Sequence, residues 1–171
     1  GGGGKAGSRS TLRPCLPQLM FNDAEDFDQD VNAWDVGSAT TLNQMFKGAS
    51  AFNQSLNSWN VAKVTDMAGV FNGATLFSKE IGSWNTAKVT TMASMFKDAA
   101  TFQQNLNDWD VGKVTTMNSM FMGAAVFNAP LSAWNVAKVA DAASMFATAT
   151  AGTATLFNQD LSAWDVGTNN G

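Results

Sequence analysis

The sequence predicts an α/β solenoid, about six stacked copies of a unit in which one short parallel strand alternates with one short helix. Three observations carry that expectation. The six tryptophans, Trp34, Trp59, Trp84, Trp109, Trp134 and Trp164, recur at 25 residues four times and then at 30. Two further columns keep the same phase: Phe27, Phe52, Phe77, Phe102, Phe127 and Phe157 before each Trp, then Val31, Leu56, Ile81, Leu106, Leu131 and Leu161. Within each copy the apolar spacing changes from that of a strand to that of a helix. A repeat of roughly 20–50 residues means one supersecondary unit that buries its apolar face only by stacking on its neighbours.

In order along the chain, residues 1–19 form a Gly- and Pro-rich segment (Pro14, Pro17) whose last part reads as a degenerate capping helix. Residues 20–167 are the array and residues 168–171 a tail. In one copy, Leu56-x-x-Trp59-x-Val61-x-x-Val64 has the leucine-rich-repeat spacing L-x-x-L-x-L-x-x-(N/C), with Trp replacing the second Leu. That segment is the expected strand, with Trp59 and Val61 pointing inward by alternation. Met67, Val70, Phe71 and Ala74 then fall at i, i+3, i+4 and i+7, one face of a two-turn helix. Thr65 precedes it as N-cap, as do Thr40, Thr90 and Thr115; the fifth copy has Ala140 there, and Asp141 caps one residue later. A helix this short does not persist alone in water, so stacking must supply its stability. Six strands at about 4.8 Å give a sheet about 25–30 Å wide.

One irregularity lies between Phe146 and Trp164, where the interval exceeds its equivalents by five residues. The surplus, residues 147–155, is rich in Ala, Thr and Gly and reads as a tolerated loop at a corner. The array ends at Asp165-Val166-Gly167 without a following helix, and the chain opens on four glycines rather than Met. A fragment of a longer chain, or a component of an assembly, is therefore expected.

Composition narrows the function. The 171 residues carry a formal charge of -4, only 14% charged and 45% hydrophobic residues. Nucleic acid is not expected as a partner, because phosphate binding needs clustered Lys and Arg. No apolar run reaches the length of a transmembrane helix. One cysteine excludes an internal disulfide, and no histidine removes the commonest general base and metal ligand. Phosphate-loop, Ser–His and metal-spaced Cys/His motifs are missing from the sequence, so no metal, cofactor or catalytic activity is expected.

What remains is the surface. The tryptophans belong to the core rather than to a sugar-stacking platform, and the methionines are flexible core fillers. Asn60, Asn85, Asp110 and Asn135, with Asp35 and Asp165, follow each Trp and should form an outward column. Such a column is either a solvated strand face or a surface for a cation or sugar hydroxyls. Lys63, Lys88, Lys113 and Lys138 make a second column, there for solubility and protection against sheet pairing or for anion binding. These eight residues are the candidate binding site.

The unit F-N-Q-x-L-x-x-W-(N/D)-V-x-K-V-T-x-M-x-x-M-F-x-x-A, seen here from Phe52-Asn53-Gln54 through Trp59-Asn60-Val61 to Ala74, resembles the BspA-like family of leucine-rich-repeat surface proteins. The likeness covers roughly residues 20–167. It implies a secreted or surface-displayed scaffold that binds a protein or cell-surface macromolecule, with no catalytic residues to carry over. A structural linker built into a larger assembly is the alternative, and a glycan-binding module the third reading.

Overall fold

The computed structural model describes residues 19–149 and 155–165. The 25-residue period is the physical repeat, and each copy is one coil lying on the last. Phe46, Phe71, Phe96, Phe121 and Phe146 stack in one file at 5.5–5.8 Å. Phe52, Phe77, Phe102, Phe127 and Phe157 stack in a second file at 5.8–6.0 Å. The files meet within each coil, as at Phe71 and Phe77, 3.9 Å apart. Trp59 lies nearly parallel to Trp84 at 6.4 Å, and Trp84 to Trp109 at 6.3 Å. Coils thus recur more widely at the rings than the 4.8 Å of a sheet.

The backbone between these rings corrects the predicted fold. Among the described residues there is no helix, and β pairing is limited to single bridge positions: parallel bridges join Thr41, Asp66, Thr91, Thr116 and Asp141 in one line, and Asp35 is a further bridge residue. The leucine-rich-repeat solenoid of alternating strands and helices is therefore wrong in both elements.

Where the helix was expected, residues 67–74 make successive tight turns. The N–H groups of Val70, Asn72 and Ala74 turn back to the carbonyls of Met67, Gly69 and Phe71 at 3.1–3.4 Å. Those of Met67, Gly69, Phe71 and Gly73 instead donate forward to Thr91, Ala93, Met95 and Lys97 of the next coil at 2.7–3.1 Å. A helix closes its bonds within itself; here alternate bonds leave to hold a neighbour. The alternation needs left-handed backbone twice per coil, with positive φ at Gly69 and Gly73, Gln44 and Gly48, Ser94 and Asp98, and Ser119 and Gly123. Spacing of i, i+3, i+4 and i+7 fits consecutive turns as well as it fits a helix, so Met67, Val70, Phe71 and Ala74 are buried all the same.

The predicted strand is also turned, with Trp59 N–H on Leu56 O at 3.1 Å and Val64 N–H on Val61 O at 2.9 Å. The threonines do not cap helices. Thr65, Thr90 and Thr115 place both N–H and hydroxyl on the carbonyl of the threonine one coil back, at 2.8–3.2 Å. Capping-type bonds come from the next residue, as Asp66 Oδ1 accepts Ala68 N–H at 2.9 Å and Asp141 Oδ1 accepts Ala143 N–H at 3.0 Å.

The inward assignment of the tryptophans holds. Trp59, Trp84, Trp109 and Trp134 are 2–4% exposed, with no distinction between the central pair and Trp134, while Trp34 and Trp164 at the ends are partly buried. The five surplus residues leave the stack in register. Leu156 N–H reaches Ala125 O at 3.0 Å, and Phe157 stacks on Phe127. The tip of that insertion (150–154), the predicted N-terminal cap through residue 18, and residues 166–171 lie outside the described residues.

Candidate binding face

Each buried tryptophan fixes what surrounds it. Its indole N–H donates to a carbonyl in the coil before: Trp59 to Val31, Trp84 to Leu56, Trp109 to Ile81, Trp134 to Leu106 and Trp164 to Leu131, at 2.8–3.3 Å. The residue after it is thereby held at the surface. Asn60, Asn85, Asp110 and Asn135, with Asp35, are all exposed and in one column, as predicted.

These side chains are half used. Oδ1 of Asp35, Asn60, Asn85, Asp110 and Asn135 accepts the N–H two residues on, at 3.0–3.2 Å. Each is an Asx turn, which leaves Nδ2 of the asparagines and Oδ2 of the aspartates for a ligand. The turn also explains a pairing in the sequence: Asp35 and Asp110 are followed by Gly37 and Gly112, whereas Asn60, Asn85 and Asn135 are followed by Ala62, Ala87 and Ala137. A Cβ at Gly37 or Gly112 would stand 3.2 Å from the aspartate Oδ1.

Lys63, Lys88, Lys113 and Lys138 form the second column, all exposed, with Ser38 in the fifth place. Exposed Thr65, Thr90 and Thr115 run beside it. A shallow depression of 470 Å³ is lined by Asn32, Trp34, Asp35, Ser58 and Asn60. Another, of 340 Å³, involves Asn57, Glu80, Ser83, Gln104, Asn105 and Asp108. Among the described residues no group of three or more His, Cys, Asp and Glu could hold a metal ion. The Asp160 carboxyl is held below its usual range by the Ser162 N–H at 2.8 Å and the Ser162 side chain.

A polar ladder that sequence reasoning missed joins the coils near this face. Asp28 Oδ1 accepts Asn53 N–H, Asn53 Oδ1 accepts Ser78 N–H, and Asn32 and Asn107 do the same for Ser58 and Ala133, at 2.9–3.1 Å. The recurring polar residue after each corner phenylalanine, Asp28, Asn53, Ser78, Gln103, Asn128 and Asn158, was its signal.

A stack of turn-built coils, with ringed core and polar face, is the class of protein these observations define. The chain belongs to the family described as Mycoplasma protein of unknown function, DUF285, which it matches over residues 17–80, 55–153 and 102–170. That match, with a backbone that has no helix among the described residues, replaces the resemblance to BspA-like leucine-rich-repeat proteins. The secreted or surface location came only with that resemblance and is not carried further. No curated protein and no solved structure matches the chain. No helix among the described residues is long and apolar enough to cross a membrane.

Proposed function

We propose that this chain is a non-catalytic scaffold that binds another protein through its exposed Asx and Lys columns. The observation that supports this reading is repetition at the surface: equivalent polar groups stand exposed in coil after coil, on a core whose rings leave little freedom to move. A partner with its own repeats gains affinity by engaging several weak, identical contacts at once. The linker alternative calls for an apolar outer face. Among the described residues the large apolar side chains standing exposed are Leu19, Leu76 and Leu156, which gives it less support. Sugar stacking on the ladder meets the burial of Trp59, Trp84, Trp109 and Trp134.

The test replaces Asn60, Asn85, Asp110 and Asn135 together by Ser, which still accepts the N–H two residues on and keeps the turn. A partner recovered with the wild-type chain should bind the variant at least about tenfold more weakly, since four contacts are lost. Undiminished affinity with unchanged tryptophan emission would remove the column from the binding face.

A further inference from the structure

The lysine column has a property that solubility does not require. Lys63, Lys88, Lys113 and Lys138 are four of the ten basic residues in a chain of charge -4, and they stand in one file. Among the described residues none of the four makes an ion pair, and the nearby carboxylates accept bonds from other groups. Asp66 accepts Asn43 Nδ2 at 3.1 Å and Ala68 N–H at 2.9 Å, Asp110 accepts Gly112 N–H, and Asp141 accepts Ala143 N–H. Like charges recurring at this pitch repel one another, and a ligand with matching anions relieves that repulsion.

The pitch is compatible with an extended peptide. Stacked rings place coils 5.5–6.4 Å apart, and the line of parallel bridges draws them toward about 4.8 Å. An extended peptide puts every second side chain on one face, about 6.6–6.8 Å apart. Long, flexible lysine stems absorb the remaining difference. On one side of the file, Thr65, Thr90 and Thr115 donate their hydroxyl protons to carbonyls, which leaves oxygen lone pairs to accept a peptide N–H. On the other side the small residues Ala62, Ala87, Gly112 and Ala137 leave room for a backbone.

We propose that this file docks an extended acidic peptide whose alternate residues are Asp or Glu, one carboxylate per coil. The proposal rests on the scaffold reading and names its partner class. A short strand meets only the lysines, whereas a long polyphosphate also meets the repulsion of the net negative chain.

The experiment uses fluorescence anisotropy with a labelled peptide of about ten alternating Thr and Glu residues, long enough to span the four lysines. Its probes for comparison are the same composition with all Glu in one block, and an oligothymidylate of similar length. The alternating peptide should bind about tenfold more tightly than either, weakening as salt is raised. Replacing Lys63, Lys88, Lys113 and Lys138 together by Gln should cost about tenfold in its affinity. These side chains are exposed, so unchanged tryptophan emission verifies the fold. Equal binding of the block peptide or the oligothymidylate overturns the strand register in favour of a general polyanion surface. No binding of the alternating peptide, or no effect of the Gln variant, overturns the proposal outright. The scaffold reading is judged separately: it survives if a recovered protein still depends on Asn60, Asn85, Asp110 and Asn135, and fails with the proposal if none does.

Discussion

The two flanks of each coil hold the same stack by different chemistry. Along residues 52–64, coils are joined largely by side chains: the indole N–H on a carbonyl one coil back, and the amide ladder through Asp28, Asn53 and Ser78. Along residues 65–74, they are joined by backbone N–H groups reaching the next coil. The first arrangement needs particular side chains, and Trp recurs in all six copies. The second needs particular backbone angles, and one left-handed place is filled in turn by Gln44, Gly69, Ser94, Ser119 and Ser144. One flank is therefore specified by identity and the other by conformation.

The largest effect should come from removing a ring on the first flank. Trp84→Ala is expected to cost about 3–5 kcal/mol, combining a cavity between stacked rings with an unpaired Leu56 carbonyl. Trp164, partly exposed, should cost less than half as much, about 1–2 kcal/mol. Urea denaturation measures both, and equal losses would break the contrast between inner and terminal coils. Trp84→Phe sharpens the point: it keeps most of the ring and loses the donor, for about 1–2 kcal/mol.

On the second flank the sensitive residues are glycines. Gly123 has φ +73°, and a Cβ there would meet the Asp98 carboxylate. Gly123→Ala should cost about 2–3 kcal/mol, from left-handed strain plus the clash. Gly73 has φ +75° but a roomier site, with Gly48 Cα at 3.5 Å. Gly73→Ala should therefore cost only the conformational part, about 1–2 kcal/mol. If the two variants lose the same stability by urea denaturation, the backbone angle alone sets the cost and the Asp98 contact adds nothing; if Gly73→Ala loses nothing, the left-handed angle is not what specifies this flank.

The same contrast explains what could be read from the sequence. Periodicity located the core residue by residue: the Trp, Phe and Leu columns of the inner coils, and Met67, Val70, Phe71 and Ala74, are buried where their phase puts them, and the columns' ends, Val31 apart, are partly buried. It also placed Asn60 and Lys63 at the surface. Backbone conformation was not legible, because apolar spacing reports which residues face inward and not how the chain turns between them. Gly48, Gly69, Gly73 and Gly123 inside supposed helices were the available warning, since each costs a helix about 1 kcal/mol relative to Ala. At the binding face, exposure was legible, but the Asx turns that occupy Oδ1 of Asn60 and its equivalents were not. Their signal was the pairing of Asp with a following Gly and of Asn with a following Ala.

The smallest effect should run in the opposite direction and test the second flank most directly. Ser94 and Ser119 sit at φ +55° and +54°, where a side chain costs about 1–2 kcal/mol. Among the described residues neither hydroxyl makes a hydrogen bond, so the serines hold these places without a compensating contact. Ser94→Gly relieves the strain, while the freer unfolded chain takes back roughly 0.5–1 kcal/mol. A net gain of about 0.5–1 kcal/mol is expected at each position. Ser83, exposed on the tryptophan flank and without positive φ, is the control: Ser83→Gly should bring no gain. If Ser94→Gly destabilises as Ser83→Gly does, the left-handed turn is not what limits this flank, and the division between identity and conformation falls with it.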